Sequence, residues 1–208
     1  MKAEDLITAQ ENIREILNKK LDELHQIKES NDPISSRWQK FIEIIIPIQF
    51  SEIRKLLYPG NQDGFSKFNI DVMEAAKTNS KLHELNVEKW TFLLESAFGI
   101  SEYKQISLEK AQQMIKEIAE AMQTSTFLQQ VDKLATPAYV ALPMVEKRKE
   151  ILKLLMVVYS AVFKTYGFEG ESGYVLGQRA LMDYHSDPFI KGHLNLAQFN
   201  VFKRAKLV

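Results

Sequence analysis

The 208-residue chain has no cysteine, which removes disulfides, thiolate metal sites and cysteine nucleophiles in one step. It also has no net charge, because 27 basic side chains balance 27 acidic ones. No global field therefore draws it to a phosphate backbone or an anionic lipid surface, and neither nucleic acid nor membrane is expected as a partner. Long apolar runs are missing as well: the most apolar stretch, Ile151 to Phe163, is interrupted by Lys153 and is shorter than the about 20 residues that cross a bilayer. The opening residues MKAEDLITAQENIREIL carry acids and amides where an export signal needs an unbroken apolar run, so the expected compartment is the cytoplasm. Finally, no segment alternates apolar and polar residues with the period of a strand, which leaves an all-α chain.

What is present is helical periodicity punctuated by turn chemistry. With 45% hydrophobic residues the chain can bury a core without staples, and residues 1–208 read as a single helical domain of about seven to nine helices. Leu6, Ala9, Ile13, Ile16, Leu17, Leu21, Leu24 and Ile27 share one side of a long first helix, over about residues 4 to 29. Asp32-Pro33 then starts a second helix whose apolar patch, FIEIIIPIQF, contains Pro47, a residue expected to end or kink it. YPGNQDG, residues 58–64, has the turn composition of a subdomain joint. Further helices follow at about 65 to 78, 80 to 98, 108 to 122 and 125 to 134, with restarts at Thr136-Pro137 and Pro143. The helix over about 143–166 is apolar on every face after its charged opening, EKRKE, and is the expected buried centre of the fold.

The segment YGFEGESGYVLGQRALMDYHSDP, residues 166–188, concentrates Gly167, Gly170, Gly173 and Gly177 ahead of Arg179, Asp183, His185 and Asp187. A phosphate cradle needs G-x-G-x-x-G after a strand or G-x-x-x-x-G-K-[ST]; these glycines are three, three and four apart and follow a helix. The economical reading is an elbow that reverses the chain, with Gly167 as a left-handed helix terminator, Phe168 folded back on Phe163, and Glu171 or Ser172 capping the next helix. Asp183, His185, Asp187 and His193 do not make a metal site by spacing, since alternate residues converge only on an extended segment. Asp187 precedes Pro188 as an N-cap, and Arg179 and Asp183 form an ordinary one-turn pair. A di-iron bundle would need two E-x-x-H motifs, and only Asp22-x-x-His25 approximates one. No cofactor, metal or catalytic constellation is therefore assigned.

The last helix carries Ile190, Leu194, Ala197, Val201 and Val208 on one stripe, and Leu196, Phe199 and Phe202 on another. One stripe suffices to dock a terminal helix, so the second calls for deeper burial or a partner. The leading expectation is a non-enzymatic interaction or regulatory domain, a homodimer bound through Leu196, Phe199 and Phe202. The alternative is a protein that holds, or acts on, a small apolar ligand or pigment between its helices, with Tyr159, Tyr166, Tyr174, Arg179 and Tyr184 among the lining residues beside Met144, Met156 and Met182.

Overall fold

A computed structural model describes residues 2–207. All of the regular structure among them is helical: α1 (Ala3–Asn18), α2 (Leu21–Glu29), α3 (Ile34–Lys55), α4 (Gln62–Ala76), α5 (Ser80–Phe98), α6 (Leu108–Met122), α7 (Ser125–Leu134), α8 (Pro137–Val140), α9 (Met144–Thr165), α10 (Gly170–Met182) and α11 (Pro188–Arg204). The all-α expectation holds, and the eleven helices slightly exceed the expected number. One extra helix comes from a break after Asn18, where Lys19 and Lys20 tighten onto the carbonyls of Ile16 and Leu17. No glycine or proline marks that break. At Pro47 the expectation of an end is not met: α3 runs through it because Pro47 lies on the exposed side, where the carbonyl that loses its N–H partner can be solvated.

The chain divides into two compact units: the first runs up to Gln105 and includes Arg179–Ser186, and the second comprises Ile106–Gln178 and the residues from Asp187 onward. In the first, α5 packs against α1, α2 and α4, while α3 packs against α1, α2 and α4. Their facing stripes supply Ile13, Leu17, Leu24, Phe41, Ile45, Ile53, Phe68, Val72, Leu82, Leu93 and Leu94, all fully buried. Residues 58–61 form a turn inside this unit, and Asn61 caps α4, its side chain accepting from the Gly64 N–H.

In the second unit the hub is α6, which packs against α7, α9 and α11. Helix α9 does not have neighbours on all sides: Ile151, Leu155, Val158, Val162 and Phe163 are buried, but Val157 is 62% exposed. An apolar helix need not be enclosed on every side: α6 and α7 pack against α9 and Tyr174 of α10 lies against its Phe163, which leaves Val157 uncovered.

The glycine segment is the elbow expected of it. Gly167 has φ +80°; its N–H donates to the Lys164 carbonyl, and the Phe168 N–H donates to Phe163, each at 3.0 Å. That is the complete Schellman pair, and the Phe163 and Phe168 rings meet edge-on with centroids 6.3 Å apart. Two details differ. The axes of α9 and α10 meet at 87°, a corner and not a reversal, and Glu171 and Ser172 lie inside the first turn of α10, which begins at Gly170. Gly177 is steric in origin, since a Cβ there would fall 2.5 Å from the Phe163 ring. Among the described residues, no single helix is long and apolar enough to cross a membrane.

Candidate functional site

Helix α11 is fixed at its start by Asp187, whose carboxylate accepts from the N–H groups of Phe189 and Ile190 at 3.1 Å. The same Oδ1 accepts from the Gln112 amide at 3.3 Å, tying the cap to α6. Ile190, Leu194, Ala197 and Val201 are buried and take the inner face against α6 and α7. Val208, assigned to this stripe from the sequence, lies outside the described residues.

The opposite face is bare. Leu196 is 66% exposed and Phe199 54% exposed, one helical turn apart, and Phe189 is 39% exposed two turns earlier. His193 stacks on Phe189 with ring centroids 4.0 Å apart, its Nδ1 lying 2.9 Å from the Phe189 carbonyl oxygen. Phe202 stands apart from this stripe: it is half-buried, because its position on the wheel falls between the two faces. The sequence-derived trio thus comprises two outward side chains and one at the flank.

The tyrosines and arginine of the ligand reading distribute differently. In the second unit, Tyr159 and Tyr174 are buried with their rings on Phe163, where desolvation pushes both hydroxyls up, Tyr174 to about 12. Tyr166 donates to Glu117 at 2.9 Å, and its hydroxyl is also raised to about 12, by burial first and by that carboxylate second. Arg179 and Tyr184 belong to the first unit.

Around Arg179 lies a cluster that reading missed. Its guanidinium carbon sits 3.6 Å from the centroid of the Trp90 ring, its Nη1 lies 2.8 Å from Asp183, and its Nη2 donates to the Tyr103 hydroxyl at 3.4 Å. Asn86 donates to the same hydroxyl at 3.3 Å. The Nζ of Lys89 is 4.9 Å from the Trp90 centroid. Trp90, Lys89, Arg179 and Asp183 are all at most 1% exposed. Two cations thus share one carboxylate in the interior, and Lys89 Nζ, Arg179 Nε and Trp90 Nε1 find no hydrogen-bond acceptor in the protein.

Arginine does not surrender its proton in proteins, so the lysine yields. Burial, seconded by the nearby Arg179, pulls the Lys89 amine down to about 7, against the weaker opposing pull of Asp183. Helical phase was a signal for this residue: Leu82, Asn86, Lys89 and Leu93 follow one buried stripe, so Lys89 occupies a core position in the sequence pattern itself. No family model matches the chain, and neither the curated proteins nor the solved structures contain a match.

Proposed function

We propose that this chain is a helical interaction module that self-associates through the outward face of α11. The observation carrying the reading is the pair Leu196 and Phe199, 66% and 54% exposed, on a helix whose other face is already occupied by α6 and α7. Single exposed apolar residues are ordinary, but a stripe continued by Phe189 along one helix is the form an interface takes. Aromatic residues there offer large contact area at small entropic cost.

Sedimentation velocity over a range of concentrations tests it. The parent should show a dimer whose fraction rises with concentration, and Leu196→Glu with Phe199→Glu should remain folded and monomeric. Both positions are exposed, so loss of fold is not expected; Phe202→Glu is unsuitable because that ring is half-buried. A parent that stays monomeric at every concentration defeats the proposal.

A further inference from the structure

We infer that Lys89, Arg179 and the Trp90 indole form a binding site for one small monovalent anion such as chloride, held inside the first unit and taken up together with a proton on Lys89. Donors outnumber acceptors there. Lys89 Nζ, Arg179 Nε and Trp90 Nε1 have no acceptor in the protein, although Lys89 and Trp90 are 0% exposed and Arg179 is 1% exposed. Ammonium, guanidinium and indole N–H groups donate and do not accept, so they cannot satisfy one another. Orphans of this kind are rare in a native interior, where most buried polar groups are paired. The nearest acceptors are already engaged: the Tyr103 hydroxyl accepts from both Arg179 Nη2 and Asn86, and Asp183 lies 2.8 Å from Arg179 Nη1.

The charge of the occupant follows from the charges around it. Two cations and one carboxylate leave one buried positive charge, which a single negative charge closes and a divalent anion would reverse. Proton loss from Lys89 also removes the charge, but it offers one amine lone pair to both Arg179 Nε and Trp90 Nε1, whereas an anion accepts from several donors at once. The donors are gathered around one ring, with Lys89 Nζ 4.9 Å and Arg179 Cζ 3.6 Å from the Trp90 centroid. Because these side chains are enclosed, the occupant must be small enough to be enclosed with them. No other carboxylate competes for the place. Among the described residues the remaining buried one is Glu52, taken by Lys55 at 2.6 Å, and the pairs that α1 makes with α5, Arg14 with Glu88 and Glu11 with Lys81, lie at the surface.

Binding is linked to protons through Lys89. Before the anion binds, its amine is pulled down to about 7, by burial first and by Arg179 second, against Asp183. Tyr103 keeps its proton, since burial pushes its hydroxyl up. Only the ammonium form calls for an anion, and its share of the native chain falls from about nine-tenths at pH 6 to about one-tenth at pH 8, so apparent affinity falls about tenfold.

Melting temperatures in sodium chloride and in sodium gluconate of equal ionic strength test the site. Gluconate is too bulky to be enclosed and leaves Lys89 uncompensated, whereas an anion held by the native chain raises stability by mass action. The parent should melt higher in chloride than in gluconate at pH 6, and the chloride concentration giving a fixed rise should be about tenfold greater at pH 8. Lys89→Met should melt alike in the two salts. Crystals of the parent in sodium bromide at pH 6 should show an anomalous scatterer within hydrogen-bond reach of Lys89 Nζ, a readout that does not depend on how the variant folds. Equal melting of the parent in both salts at pH 6, a chloride effect that survives Lys89→Met or is the same at pH 6 and 8, or bromide bound only elsewhere, each overturns the assignment.

Discussion

Replacing Lys89 with methionine should stabilise the protein at neutral pH, with a gain that shrinks as the pH rises. The interior lowers the amine from the ordinary 10.5 to about 7. Below pH 7 both the native and the unfolded chain hold the proton, and the whole cost of burying the ammonium is present. Between pH 7 and 10.5 the unfolded chain binds a proton the native chain lacks, so stability rises with pH at about 1.4 kcal/mol per pH unit. The full cost, 10.5 minus about 7 multiplied by that slope, is about 5 kcal/mol. At pH 7 about 4 kcal/mol of it remains, and about 2 kcal/mol of that disappears by pH 9. Methionine has a similar length and no charge, so it fills the space at a packing cost usually below about 1.5 kcal/mol. Urea unfolding of parent and variant at pH 7, 8 and 9 measures the gap directly. Higher pH should be avoided, because Tyr166 and Tyr174 are raised to about 12; the unfolded chain ionises its tyrosines first, and stability falls again above about pH 10. A variant less stable than the parent at pH 7, or a gap that stays constant from pH 7 to 9, would refute a neutralised, uncompensated Lys89.

The remaining predictions follow from backbone and charge. Gly167→Ala should lower stability in thermal melts by about 1 kcal/mol, because its φ of +80° strains an L residue while the added methyl group meets nothing within 4 Å. Leu57→Gly should do the reverse by about the same amount, since Leu57 holds φ 65° at 94% exposure and loses almost no packing; a destabilised variant would show that this leucine makes contacts of its own. Asp183→Asn should cost about 3–5 kcal/mol in urea unfolding by leaving Arg179 buried without its anion; the loss should be smaller on a Lys89→Met background, where one buried cation is already gone, and equal losses in both backgrounds would argue against coupling.

Sequence reasoning reached furthest where local chemistry decides the outcome. Asp187 caps α11 and Gly167 closes α9; each is a few-residue rule, independent of the rest of the fold. The break after Asn18 was not legible, because Lys19 and Lys20 are acceptable in a helix and only packing selects the bend there. The site was legible in part for the same reason. The outward turn of Leu196 and Phe199 follows from helical phase, whereas which neighbours cover α9 and which cover α6 is a tertiary choice. Arg179 and Asp183 read as an ordinary pair at one-turn spacing, and they are indeed a pair at 2.8 Å. Their burial beside Trp90 and Tyr103 depends on α5 and on residues far away in the sequence, which no local pattern specifies.

Three residues work against stability in ways the protein's own contacts do not offset, and they differ in kind. Lys89 buries an amine with no acceptor in the protein, Leu57 sits in a left-handed backbone region with its side chain in solvent, and Gly192 weakens a helix without relieving any contact. Departures of this kind persist where something other than the isolated fold selects them. Arg179 beside Lys89 is held by Asp183, Tyr103 and the face of Trp90, contacts that tie residues 179–186 into the first unit. Leu57 has no such tie, and nothing in the structure accounts for it. Gly192 lies on the same face of α11 as Leu196 and Phe199, the side chains that leave apolar area in water. That coincidence of a costly glycine and an uncovered aromatic on one face is what supports the proposal that the outward side of α11 is an interaction surface.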